Sequence, residues 1–352
     1  MFPTFDGHND ILLRLYKAPE HREAIWLTGE GRGHLDLPRM KRGGFAAGFF
    51  AIYIPSPHED DGIDYVQLME NPPYLLPLPD LIGDSQALPV AMAMAGHMLW
   101  MERSSGGQFK MVRTVADIRD CMAKGVVAGI LHMEGAEAIG GDLDALHAFH
   151  AMGLRSIGPV WSRPTVFGHG VPFGFPASPD TGDGLTAAGK RLIKECNALK
   201  IMIDLSHINE KGFDDVAALS DAPLVATHSN AHAITPSTRN LTDRQLAVIR
   251  ASGGMVGLNF ATSFLRRDGK QSADMGWEDV LAHLDHLITH LGEDHVGLGS
   301  DFDGATIPKG IGDVAGLPAL QQAMLDHGYG PALLKKLTHE NWLGLLDRTW
   351  GA

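Results

Sequence analysis

Phe2-Pro3-Thr4-Phe5-Asp6-Gly7-His8-Asn9-Asp10 is the stretch on which the reading of this chain turns. Residues 2–5 have the apolar, aromatic character of a short buried strand. At its C-terminal end His8 and Asp10 stand two positions apart, a spacing that on extended backbone sends both side chains to one side. An imidazole and a carboxylate converging at a strand end form half of a metal site.

Further along, near-continuous apolar runs recur at 45–54, 126–132, 156–161, 201–206, 224–227, 255–260 and 296–300. Such runs suit a parallel sheet covered on both faces. Helix signals lie between them: Thr114 with Asp117, followed by Gly125, and Thr242 with Gln245, followed by Gly253. Eight strands alternating with crossover helices predict an α/β fold, the (β/α)8 TIM barrel, in a single domain over 1–352. A doubly wound sheet is the structural rival. Two segments break the alternation. The residues from Pro55 to about Ser105 predict a helical excursion after the second strand, with helices near 64–69 and 87–101. The Gly- and Pro-rich run 162–184 predicts a long loop of the kind that covers a site.

Ligand-type residues fall at the strand ends. His8 and Asp10 follow the first strand, Glu134 the third, His207 the fifth, His228 the sixth and Asp301 the eighth. In a barrel all strand C-termini share one face, where active sites of this fold sit. Zinc takes about four N or O donors and leaves one position open for catalysis, so six donors suit two ions better than one. Glu134 can bridge with its two oxygens, opposite a bridging water or hydroxide. Two Zn²⁺ ions would then generate a nucleophile from water and clamp a tetrahedral intermediate. Manganese or iron fits the same donors.

The totals narrow the class. With 44% hydrophobic and 20% charged residues the chain has ample core, and its formal charge of −13 excludes a nucleic-acid partner. Cys121 and Cys196 lack CxxC spacing, which predicts reduced thiols. No apolar run is long enough to span a bilayer, and the metal motif begins at once, so a cytoplasmic protein without a membrane partner is expected.

Taken in order, Asp6–Asp10, Glu134-Gly135, Asp204–His207, Thr227–Ser229, Arg239-Asn240 and 300–304, through to Glu340-Asn341-Trp342-Leu343, resemble the membrane (renal) dipeptidase family of zinc peptidases. The resemblance spans essentially the whole chain. It implies an amidohydrolase-type barrel with a binuclear zinc centre, a small dipeptide substrate with tolerance for a D-residue at its C-terminal position, and a homodimer. It also implies that His8, Asp10 and Asp301 hold one zinc, that His207 and His228 hold the other, and that Glu134 bridges them. Asp301 then serves as general base and acid, and Arg239 binds the substrate's free carboxylate. One departure matters: where the mammalian-type family has a histidine after the fourth strand, this chain has Trp161. His169 in the following loop is the candidate to replace it. That departure leaves a deacylase or other amide hydrolase acting on N-acyl amino acids as the alternative.

Other polar residues have plainer readings. His132, Asp204 and His232 are expected to support the ligands from behind, and Asp303 to be structural. His283, His286 and His290 form one stripe of an amphipathic helix, with no acidic partner evident in the sequence. They are expected to face solvent or a second subunit.

Overall fold

Eight parallel strands form a ring in the computed structural model, which describes residues 1–56 and 64–351. They are β1 (Thr4–Asn9), β2 (Phe45–Tyr53), β3 (Val127–Glu134), β4 (Leu154–Ile157), β5 (Met202–Ile203), β6 (Val225–Ala226), β7 (Met255–Asn259) and β8 (Val296–Gly299). Consecutive strands pair from β1 to β5 and from β6 to β8, and β8 returns to β1 with Asp6 opposite Leu298. A parallel bridge between Asp204 and Val225 joins β5 to β6. The result is a (β/α)8 barrel whose strands follow the predicted order. β1 is longer than expected and carries His8 inside it, whereas β4 stops at Ile157.

The barrel interior fills from its N-terminal end. Phe5, Phe49 and Trp342 pack with ring centroids 5.4–5.6 Å apart. Trp342 lies on the C-terminal helix Asn341–Trp350 and donates from Nε1 to the Leu298 carbonyl at 3.0 Å. Truncating such a buried aromatic costs about 3–5 kcal/mol. Gly7 leaves room for this plug, since a Cβ there would sit 2.7 Å from the Trp342 ring. The aromatic floor sends the polar strand ends to the opposite, C-terminal face.

The helix signals work as read. Thr114 accepts from Asp117 N–H, and Gly125 ends that helix at φ 67°. Thr242 and Gln245 form both halves of a capping box. In the excursion, helices span Tyr65–Glu70 and Asp84–Ser104, the second longer than predicted. Residues 57–63 of this segment lie outside the described residues. One pairing was not foreseen: Tyr74–Leu75 joins Gly174–Phe175 in an antiparallel ribbon that ties the excursion to the long loop after β4. Among the described residues no helix is long and apolar enough to cross a membrane.

The histidine stripe needs correction. His283 does not face solvent; it is fully buried. Its Nδ1 accepts from Ala231 N–H, and its Nε2 lies 3.0 Å from the Leu265 carbonyl. The helix Glu278–Leu291 therefore uses this imidazole to anchor the backbone just before the Arg239 turn.

Candidate metal centre

β1 does not reach the site straight. Asp6 pairs with Gly48 but Asn9 with Phe50, so three steps on β1 match two on β2, a bulge of the sort that re-aims side chains near active sites. Asp10 has already left extended geometry, at φ −114° and ψ 25°. Simple alternation is therefore not what brings the pair together, yet His8 Nε2 lies 3.3 Å from Asp10 Oδ2. Asp6 holds the bulge by accepting from Ser300 N–H at 2.7 Å, from Ser300 Oγ–H at 2.9 Å and from His8 N–H at 3.4 Å. Burial pushes the Asp6 carboxyl up to about 7, against the pull of those donors.

The end of β8 adds Asp301 to this pair, the three donors lying within 4.8 Å of one another. Asp301 sits at φ 58°, a left-handed conformation held by its N–H bond to the His8 carbonyl. Asn259 Nδ2 donates to its Oδ2 at 3.0 Å. A Cβ at Gly304 would press on the carboxylates of both Asp10 and Asp301, so any side chain there would push them apart.

A second group forms at the ends of β3, β5 and β6. Glu134 Oε1 lies 2.8 Å from His207 Nε2 and 3.4 Å from His228 Nε2, while its Oε2 lies 3.5 Å from His8 Nε2. The two carboxylate oxygens thus point to different imidazole groups. The His228 tautomer follows from its neighbours. Thr227 Oγ1 donates to Asp204 Oδ2 at 2.6 Å, so it can only accept from His228 Nδ1–H at 2.8 Å, which leaves Nε2 as a lone pair. Asp204 also accepts from Ser206 N–H, Ser206 Oγ–H and Thr227 N–H. With its oxygens committed, Asp204 is a support, as expected. His207 Nδ1 lies 2.8 Å from Ser162 Oγ.

These residues fit a metal ion. His228 Nε2 faces His207 Nε2 at 3.1 Å, close to the roughly 3.3 Å between two donors each 2.0–2.1 Å from a tetrahedral zinc. One proton on His207 can serve either His228 or Glu134, whereas a divalent cation serves all of them. The electrostatics agree. Burial alone would depress His8, but the Glu134 and Asp10 carboxylates outweigh it and hold the imidazole above its ordinary range. His207 and His228 are pushed well down, first by burial and then by nearby cationic groups. Burial raises Glu134 to about 7 and raises Asp301 as well. The pocket therefore calls for added positive charge while keeping two imidazoles neutral, the form that binds metal.

Arg239 is buried beside this cluster. Its Nη1 donates to the Ser206 carbonyl, and its Nη2 donates to the His228 carbonyl at 3.1 Å. Among the described residues its Nε–H has no partner. Burial lowers the guanidinium to about 10, still a cation at neutral pH. Trp161 packs its ring 5.8 Å from His207 and 5.0 Å from Tyr53. With Tyr53, Ser162 and Phe173 it lines a cavity of about 960 Å³, and Ser162 of that lining bonds His207. His169 is placed differently: its ring lies beside Gly182 and its carbonyl accepts from Asn209 N–H. Among the described residues no bond joins that ring to the cluster.

Several supports went unread in the sequence. Arg163, fully buried, donates to Glu137 Oε1 at 2.9 Å and to the Ile54 carbonyl at 2.7 Å, and lies 5.2 Å from the Trp161 ring. Ser162 bonds His207, Asn259 bonds Asp301 and Ser300 bonds Asp6, three further supports. The available signal was a polar residue next to an apolar strand, since buried polar groups persist only when bonded. Asp303 is structural as expected, accepting from Arg14 Nη1 at 2.9 Å and from His34 N–H at 2.6 Å. His232 Nε2 meets the Ala177 carbonyl at 2.9 Å.

Comparison with known proteins gives a consistent picture. A family model described as membrane dipeptidase (peptidase family M19) matches residues 1–349. A metallopeptidase from Rhodobacter sphaeroides, solved with a phosphinate mimic of the dipeptide L-Ala-D-Ala, is 73% identical with a TM-score of 0.98 and 99% of each chain covered. A second solved structure, described as dipeptidase AC, a metallopeptidase of family M19, is 72% identical with a TM-score of 0.97, covering 100% of this chain and 99% of that one. An uncharacterized Klebsiella pneumoniae protein from the pqqA 5′ region is 52% identical over 246 residues, 70% of this chain and 91% of its own length.

Proposed function

The chain belongs to the membrane dipeptidase family, peptidase family M19, and is a metallo-dipeptidase; on that premise we propose that it cleaves small dipeptides, including those with a C-terminal D-residue, at a two-zinc centre. The observation that carries this reading is the division of Glu134, one oxygen toward His8 and the other toward His207 and His228. His8, Asp10 and Asp301 would hold one zinc, His207 and His228 the other, and Glu134 would bridge them. When bound, the ions would acidify water and polarise the scissile carbonyl.

The remaining chemistry belongs to the chain's own residues. Asp301, oriented by Asn259, would take the proton of the attacking water and pass it to the leaving amine. Arg239 supports recognition of a free carboxylate. Its unpartnered Nε–H shares an edge of the guanidinium with Nη2, the donor pair a carboxylate meets bidentately. Trp161, Tyr53 and Phe173 give the cavity an apolar wall for a side chain. The L-Ala-D-Ala mimic bound by the Rhodobacter sphaeroides relative supports acceptance of a D-residue at the C-terminal position.

Initial rates of the zinc-loaded protein on L-Ala-L-Ala, L-Ala-D-Ala and an N-acetyl-D-amino acid test the reading. Chelator-sensitive cleavage of L-Ala-D-Ala is the expected result. Turnover of the acyl substrate with silence on both dipeptides would overturn it in favour of a deacylase.

A further inference from the structure

Two imidazoles and a carboxylate also meet on the outer helical layer. His286 and His290 lie one turn apart on the helix Glu278–Leu291, with ring centroids 4.2 Å apart and planes 23° from parallel. Asp243, the first residue of the helix Asp243–Ala251, faces both of them. Its Oδ1 is 2.7 Å from His286 Nε2 and its Oδ2 is 3.9 Å from His290 Nε2. One ligand atom from each residue lies within 4.8 Å of the others.

A surface hydrogen bond explains only part of this. The bond from His286 satisfies one carboxylate oxygen, but 3.9 Å is too long for a hydrogen bond from His290 to the other. Among the described residues the ion pairs of Asp243 are to these two imidazoles alone, with no lysine or arginine competing. One donor atom of each residue already lies within 4.8 Å of the others, against roughly 3.3 Å between donors on a tetrahedral zinc. The frame is already rigid. Leu246 and Ile249 of one helix and Leu284, Leu287 and Leu291 of the other are buried in the same core. The capping box at Thr242 holds Asp243 in place. Small side-chain rotations would suffice to close the three donors on an ion.

We propose that Asp243, His286 and His290 form a further metal site, separate from the barrel centre, that takes one borderline divalent transition ion of the Zn²⁺, Ni²⁺ or Cu²⁺ type. Two imidazoles and a single carboxylate select such ions over Mg²⁺ or Ca²⁺, which require more oxygen donors. Water completes the coordination, because all three side chains are partly open to solvent. The bound ion clasps two neighbouring barrel helices, one of which begins four residues after Arg239.

The test uses the full chain with its barrel centre saturated with zinc and excess metal removed by dialysis. Calorimetric titration with Zn²⁺ should show one additional ion per chain, accompanied by a rise in Tm. His286→Gln and His290→Gln should each weaken that event roughly tenfold or more, the loss of one ligand in three. Both variants should keep dipeptide hydrolysis within twofold of the unmodified protein. Absence of the additional ion at submillimolar zinc would overturn the proposal. So would an additional ion bound equally well by both variants, which would place it elsewhere.

Discussion

Thr227→Val isolates the hydroxyl that sets the His228 tautomer. Threonine and valine have nearly the same shape, and Thr227 is fully buried, so the substitution removes an oxygen and leaves almost no cavity. Two bonds are lost: the donation to Asp204 Oδ2 at 2.6 Å and the acceptance from His228 Nδ1–H at 2.8 Å. Asp204 Oδ1 keeps its three donors, whereas Oδ2 loses the hydrogen bond that Thr227 gave it. The imidazole N–H is orphaned, at a cost of about 1–3 kcal/mol. Unfolding 352 residues carries an entropy near 0.7 kcal/mol/K, so the metal-free protein should lose about 1–4 °C in Tm. The larger effect falls on the metal. Supports of ligating histidines are worth roughly 10–100-fold in affinity or activity, or about 1.4–2.7 kcal/mol. Competition with a chromophoric chelator measures this directly, and Thr227→Ser, which retains the hydroxyl, should stay near the unmodified protein. If Thr227→Val held its metal within twofold of the unmodified protein, the hydroxyl relay would not be what orients His228.

Gly304→Ala should splay Asp10 and Asp301 and reduce bound metal with little change in the circular dichroism of the fold; metal content by mass spectrometry decides it, and full occupancy would refute the steric argument. Arg239→Lys should raise KM for a dipeptide by about tenfold or more while kcat changes less. A dipeptide amide, which lacks the carboxylate, should be a poor substrate in both proteins and insensitive to the substitution; equal losses on both substrates would instead assign Arg239 a purely structural role. Cys121 and Cys196 are buried and free, and burial raises both thiols, so neither should react with a thiol reagent at pH 8 until the protein is unfolded. Rapid labelling of the native protein at either position would contradict their placement.

The eight strands were legible because each is an apolar run, and a strand buried on both faces must read that way. β3, for instance, is buried along its whole length. That the six candidate donors come together was legible because they stand where those runs end, and the barrel places all such ends on one face. The first motif was legible for a reason that proved incomplete: His8 and Asp10 do meet, but across a bulge that no period of two describes. The ribbon between Tyr74–Leu75 and Gly174–Phe175 could not be seen, because two short proline-flanked segments about a hundred residues apart carry no local signal of pairing.

The stripe of histidines shows the same limit. Helical spacing placed His283, His286 and His290 on one side, but whether an imidazole is core or surface depends on what packs against the helix. His283 meets the backbone at Ala231 and Leu265, while His286 meets Asp243 from another helix. By itself, then, the sequence determined the barrel, the order of its strands and the identity of the candidate ligands, since these follow from periodicity and position along the chain. The tertiary structure alone decided how each donor is aimed. The bonds that aim them join residues such as Asp6 and Ser300, or Asp204 and Thr227, whose proximity exists only once the ring of strands has closed.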